Sequence, residues 1–459
     1  MALLKSTGNK KVNLDFNKEF ISTFSDKIKS ENIEFINQTL KDLHEADVAN
    51  LIENLDPETR VKLIELEAFN IDPEIFVELN ESIQGEILKL LSTDSIIKII
   101  KRLESDDAIK ILENLEQNIK ETILEKLPPK DKFLLAEGLS YPDDSAARIM
   151  QREFTAVPSN WTVGQTIDYL RETKDLPKEF LEIFIVDNDF KPIGTVPSSR
   201  VLRTPRELKM NSIMSEMPVL ISANMDQEEV GQAFENYNLV SAGVVNKDNK
   251  LVGMITADDV VTVVQEEAEE DVLRLAGVGD EEITDSVMVK TKRRFNWLLL
   301  NLFTALLATW VISFFGASIE QMVALAFLMP IVASMGGNAG MQTLAVTIRA
   351  IATKELSKSN FNRVVGKEFL IGILNGIIFA IITAIIVQFW FNKFNLSLLI
   401  GISMILNMIV AGLFGILVPV SLKKLNIDPA LASSVFVTTI TDVIGFLSFL
   451  GLGSYYFLN

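Results

Sequence analysis

The sequence predicts a multidomain membrane protein: a solenoid-like α-helical N-domain, an α/β tandem, a connecting helix and a five-helix transmembrane domain. Three observations predict this. Apolar residues recur at three- and four-residue spacing in the first part of the chain. A unit of helix, two strands and closing helix occurs twice in the middle. Five apolar segments near the end are each long enough to span about 30 Å of hydrocarbon at roughly 1.5 Å per residue.

Residues 1–20, "MALLKSTGNKKVNLDFNKEF", read as a disordered leader too polar to contain the apolar core of a secretory signal. The soluble part is therefore expected in the cytoplasm. Residues 21–140 form the helical N-domain, with stretches such as "DVANLIENLDPETRVKLIELE". Breaks at Asp56-Pro57, Asp72-Pro73, Ser92-Thr93-Asp94, Ser105-Asp106 and Pro128-Pro129 put Ser or Asp where an N-cap is wanted, or Pro at a first helical position.

Residues 141–265 change character. The first copy of the repeat runs from Ile149-Met150 through "FTAV", a helix near "VGQTIDYL" and "FIVDNDFKPIGTVPSSRVL". The second runs from Ile213-Met214 through "MPVLI", "EEVGQAFENY" and "GVVNKDNKLVGMITADDVV". This pattern resembles a pair of CBS domains. Residues 266–294 are a charged connection whose acidic start, Glu266 to Asp271, reads as a helix, and whose basic end, Lys290, Lys292, Arg293 and Arg294, precedes the first apolar run.

The transmembrane domain occupies 295–459, with spans expected near 295–315, 321–349, 364–391, 396–421 and 429–457. Basic residues gather before the first span and in the second and fourth connections. By the positive-inside rule this orients a multi-pass protein of the cell membrane with its N-terminal domains cytoplasmic and its C-terminus outside.

Composition narrows the chemistry. Of 459 residues 48% are hydrophobic, none is cysteine, and His44 is the single histidine. Thiolate sites, disulfides and histidine metal centres are excluded, so any metal is held by oxygen. The net charge is −18, made of −25 on residues 1–288 and +7 on the remainder. So acidic a soluble part argues against nucleic acid as a partner and favours cations. A role in solubility alone accounts for such acidity about as well. No phosphate loop, nucleophile elbow or triad is present, and the chain is not expected to be an enzyme.

Within the spans, Asp442 in "SSVFVTTITDVIGFLSFL" is the acidic residue that falls deep in a segment. An ionisable group at that depth is costly and is read as functional. Ser434, Thr438 and Thr441 share its helical face. A polar packing seam is the competing reading. The second span contains "MPIVASMGGNAGMQT", whose Gly336, Gly337 and Gly340 allow irregular or closely approached backbone, while Asn338, Gln342 and Thr343 supply neutral oxygens. Glycines alone would indicate only helix packing; their coincidence with amides and with a carboxylate on another span favours a cation path. Sparse carboxylate, amide and carbonyl oxygens suit Mg²⁺, which keeps much of its water, better than Ca²⁺, though Mn²⁺ and Co²⁺ fit the same donors.

These motifs together resemble the MgtE family of magnesium channels over nearly the whole chain. "MPIVASMGGNAGMQTLAVTIRA" and "DPALASSVFVTTITDVIGF" match its second and last spans, and "YPDDSAARIM" its domain junction, with Ala147 where glycine is expected. The resemblance implies a homodimer in which Asp442 of each protomer faces a hydrated Mg²⁺. Asn338, Gly336, Gly337, Ser434 and Thr438 would line the pore, with Asp428 at its entrance. It also implies closure by cytosolic Mg²⁺ bound at Asp259, Asp258, Glu267, Glu270 and Asp271, the last three on a "plug" helix. Asp94, Asp106 and Asp107 are N-domain candidates that serve equally well as helix caps. CBS tandems often bind ATP or another adenine nucleotide, and the resemblance admits one here. Two other functions fit the motifs: exchange of a divalent cation for H⁺ or Na⁺, and a membrane-anchored CBS sensor without transport.

Overall fold

A computed structural model describes residues 16–66, 72–173, 176–177, 180–217, 219–278 and 287–458. The chain divides into two compact units, Met1–Gln265 and Glu266–Asn459.

Helices α1 (Lys18–Lys29), α2 (Ile33–Lys41), α3 (Glu45–Glu53), α4 (Pro57–Glu65), α5 (Pro73–Val77), α6 (Glu81–Leu90), α7 (Thr93–Ile100), α8 (Ser105–Glu113), α9 (Gln117–Lys126) and α10 (Pro129–Leu139) build the N-domain. The expectation of a disordered leader is corrected at its end, because α1 begins at Lys18 with Asn17 as N-cap. Residues 1–15 lie outside the described residues. Side chains of Asn17, Asn32, Asp56, Asp72 and Ser92 accept hydrogen bonds from first-turn amides, each such cap contributing about 1 kcal/mol. The apolar faces close over one core that includes Phe24, Ile52, Phe76, Ile87 and Ile111.

The tandem contains two three-stranded sheets. In the first, β1 (Ala156–Pro158) pairs parallel with β2 (Glu182–Val186), which pairs antiparallel with β3 (Pro192–Pro197). The second repeats this with β4 (Ile221–Ser222), β5 (Ser241–Val245) and β6 (Leu251–Thr256). Helices α11 (Val163–Glu172), α12 (Ser198–Arg203), α13 (Met210–Ile213) and α14 (Gln227–Tyr237) pack around them, and α15 (Ala257–Leu275) follows β6.

The two hairpins turn by the same device. Asp187 Oδ1 accepts from the amides of Asp189 and Lys191 at 2.9 and 2.8 Å, and Asn246 Oδ1 from those of Asp248 and Lys250 at 2.9 and 3.0 Å. Such Asx turns are what short Asp/Asn segments between strands favour. The copies also exchange edges: Gln151, at the start of the first, bridges to Met254 in β6, and Ser215, at the start of the second, bridges to Thr195 in β3. Glycine permits both approaches. A Cβ on Gly194 would lie 2.6 Å from the Ser215 carbonyl oxygen, and one on Gly253 2.7 Å from that of Gln151.

The second unit holds α16 (Val287–Ser313), α17 (Gly316–Gln321), α18 (Ala324–Ala352), α19 (Phe361–Phe391), α20 (Phe394–Lys424) and α21 (Pro429–Leu458). All of these except α17 are long and apolar enough to cross a membrane. The first begins earlier than expected, so Lys290, Lys292, Arg293 and Arg294 ride on its opening turns instead of preceding it. Of the two backbones those glycines allow, irregular or closely approached, the second is found: α18 runs unbroken through Pro330 and "GGNAG". Its glycines serve contact between helices, as do Gly372 and Gly376 of α19, where a Cβ would meet α20 backbone at 2.9 Å in each case.

Candidate cation path and sensing sites

Helices α18 and α21 meet along a small-residue seam. A Cβ on Gly340 would come within 2.6 Å of Val437, whereas at Gly337 the nearest atom is the Thr438 methyl at 3.9 Å. Gly337 thus retains room beside α21, and Gly340 does not. Gly336 is buried against the Asn407 amide of α20 and faces no open space.

Asp442 is half-buried on α21, and among the described residues its carboxylate makes no hydrogen bond or ion pair. Asn338 is exposed on α18; its Nδ2 reaches Ser334 Oγ at 3.4 Å and leaves Oδ1 available. Thr438 donates its hydroxyl to the Ser434 and Val435 carbonyls at 2.9 and 3.1 Å, and Thr441 to that of Thr438 at 2.9 Å. With its proton spent on the helix, the half-buried Thr438 oxygen keeps lone pairs as an acceptor for water or a hard cation, whereas Thr441 is fully buried.

Sequence reasoning missed Asn407. It is fully buried between α18 and α21; its Nδ2 donates to the Val332 carbonyl at 2.8 Å, and a Cβ on Gly445 of α21 would lie 2.8 Å from it. An asparagine inside an otherwise apolar run was the available signal. Its glycine partners lie 71 and 38 residues away on other helices, beyond any local pattern.

At the other end of α21, Asp428 Oδ1 accepts from the Ala430 amide at 2.8 Å, capping the helix. Its Oδ2 pairs with Arg274 of α15, and Arg274 also pairs with Glu270 one turn earlier. Asp271 lies beside them, its carboxyl pushed above the usual range by burial and then by the Asp428 charge. Glu267, Glu270, Asp271 and Arg274 fall on one face of α15 at three- and four-residue steps. Two of the expected metal ligands therefore share a guanidinium.

In the first unit, the start of α8 meets the start of α15. Burial, followed by the Asp259 charge, raises Asp106 well above the carboxylate range and raises Asp107 to about 7. Glu104 is raised by burial and then by Glu153, Asp259 and Asp258. Asp259 is raised by burial against the opposing effect of a 2.6 Å hydrogen bond from Thr256. Asp258 is exposed. Among the described residues Asp106 Oδ1 is buried with no hydrogen-bond partner, and Glu104 occupies the N-cap position of α8 without a side-chain cap bond. Capping thus does not account for these acids. The third candidate, Asp94, lies elsewhere in an exposed ion pair with Lys126 at 2.9 Å, which lowers its carboxyl. Asp106 is buried, Asp107 and Asp259 are half-buried, and Glu104 and Asp258 are exposed; among the described residues no three acids stand close enough together to hold a metal ion.

Five apolar helices following a helical N-domain and an α/β tandem define a multi-pass membrane protein. The family model for the MgtE divalent cation transporter matches residues 329–452, the MgtE intracellular N domain matches 43–144, and CBS domains match 146–207 and 210–266. The magnesium transporter MgtE of Bacillus subtilis is 32% identical over 317 residues, which are 69% of this chain and 70% of that protein. The Enterococcus faecalis magnesium transporter MgtE is 30% identical over 70% of this chain and 71% of its own. The chain belongs to the MgtE family of magnesium transporters. Among solved structures, the cytosolic domain of the Mg²⁺ channel MgtE in complex with ATP aligns at TM-score 0.49 and 23% identity, covering 53% of this chain and 99% of that one. The soluble part of a magnesium transporter aligns at 0.48 and 21%, covering 55% and 99%.

Proposed function

We propose that the protein conducts hydrated Mg²⁺ along a path beside α18 and α21, as a homodimer whose N-terminal unit is cytoplasmic. Asp442 supplies the charge, and Asn338, Thr438 and the room at Gly337 supply neutral oxygens and width. The observation that carries the reading is the Asp442 carboxylate, embedded in a span without a partner among the described residues. A charge so placed needs a counter-ion. One carboxylate with neutral oxygens suits an ion that keeps most of its water.

Cytosolic Mg²⁺ closes the path by binding two acidic groups, one on α8 and the start of α15, the other on the Glu267, Glu270, Asp271 and Asp428 face. Repulsion among those carboxylates favours separation until divalent ions neutralise it. Screening confines the effect to about 8 Å, so only facing acids act. An adenine nucleotide such as ATP at the CBS pair belongs to the same reading, supported by the CBS match over both copies.

The test is Mg²⁺ uptake into liposomes bearing purified protein. Asp442→Ala should abolish most uptake; equal uptake by the variant would remove the pore assignment. Uptake that follows the Mg²⁺ gradient without proton or Na⁺ flux separates conduction from exchange.

A further inference from the structure

A second carboxylate lies on a membrane-spanning helix, away from Asp442. Glu368 is the eighth residue of α19, about 10 Å from its start at roughly 1.5 Å per residue. It borders an open cavity of about 170 Å³ shared with the exposed Gln342 and half-buried Thr343 of α18, the exposed Asn375 of α19 and Gly412 of α20. No residue of α21 lines this space.

Close packing of three helices holds the walls in place. A Cβ on Gly415 would lie 2.7 Å from Thr343 Cβ, and one on Gly412 3.0 Å from the Glu368 carbonyl oxygen. Thr343 Oγ1 donates to Glu368 Oε2 at 3.1 Å, which orients the carboxylate. No ion pair to Glu368 occurs among the described residues. One hydroxyl does not neutralise a half-buried carboxylate.

The cavity admits several waters at once, room for part of the shell of a hydrated divalent ion. Its walls offer one charge and three neutral side-chain oxygens, a sparse set suited to water-mediated contact with such an ion. We infer that the Glu368 cavity is a second cation site in the membrane domain, taking a hydrated divalent cation of the Mg²⁺ type. The inference does not depend on Asp442 lining a pore.

Because the chain has no cysteine, Val346→Cys, on the cavity wall, gives a unique nitroxide position in full-length protein in lipid nanodiscs. Mn²⁺ is the probe, read through its enhancement of nitroxide relaxation. Strong enhancement is expected, falling several-fold with Glu368→Gln and with Asn375→Leu, and largely kept with Glu368→Asp and Asp442→Asn. Enhancement retained in both Glu368→Gln and Asn375→Leu, or lost with Asp442→Asn alone, overturns the inference, as does absence of enhancement in the labelled parent.

Discussion

Arg274 of α15 pairs with Asp428, the residue that caps α21, so one guanidinium ties the acidic face of the connecting helix to the start of the last span. Glu270 shares the same cation. A divalent ion binding these carboxylates must compete with Arg274 or join it.

Removing the competitor should therefore favour the metal. Arg274→Gln is expected to lower several-fold the Mg²⁺ concentration that protects the connecting helix from limited proteolysis, because Glu270 and Asp428 are left without their fixed cation. An unchanged or higher requirement would show that Arg274 cooperates with the ion.

The α8 cluster predicts a pH dependence. Asp107, raised to about 7 from an ordinary 3.8, holds a proton more readily in the folded chain than in the unfolded one. Its protonation stabilises the fold fully below pH 4 or so, and that contribution is lost as pH rises through about 7. Mg²⁺ needs the ionised form. The Mg²⁺ required for half-maximal protease protection should then rise several-fold from about pH 8 to about pH 6, and Asp107→Asn should flatten the dependence.

Asp94 and Asp106 are told apart by the same assay. Asp106→Asn removes a buried acid with an orphaned oxygen and should weaken the Mg²⁺ response. Asp94→Ala breaks only an exposed ion pair with Lys126, a contact worth at most about 1 kcal/mol, and should leave the response unaltered. A larger loss with Asp94→Ala would place the sensor on α7.

Adjacent glycines of α18 should respond differently to one methyl group. Gly336→Ala forces a Cβ into the Asn407 amide, itself held by Val332, and overpacking of this kind costs about 1–3 kcal/mol. A lower midpoint of thermal unfolding in detergent is expected. Gly337→Ala meets nothing closer than 3.9 Å and should unfold like the parent while slowing Mg²⁺ uptake. Equal midpoints for the two variants would contradict the packing at Gly336.

The sequence determined what local rules govern. Apolar spacing defined the N-domain helices, and Asp-Pro and Ser breaks marked starts such as those of α4, α5 and α7. Paired Asp/Asn turns marked the repeated hairpins, and run length gave five spans. Each depends on φ/ψ preference or burial periodicity within a few residues. Tertiary structure decided the rest. "GGNAG" was legible as unusual but not as continuous helix, because its glycines answer to Asn407 and Val437 on other helices. Glu104 joins Asp106, Asp107, Asp258 and Asp259, and Arg274 joins Asp428, only where helices distant in sequence pack together. Charge and small size are visible in a sequence, but the partner that gives them a role is fixed by packing across the fold.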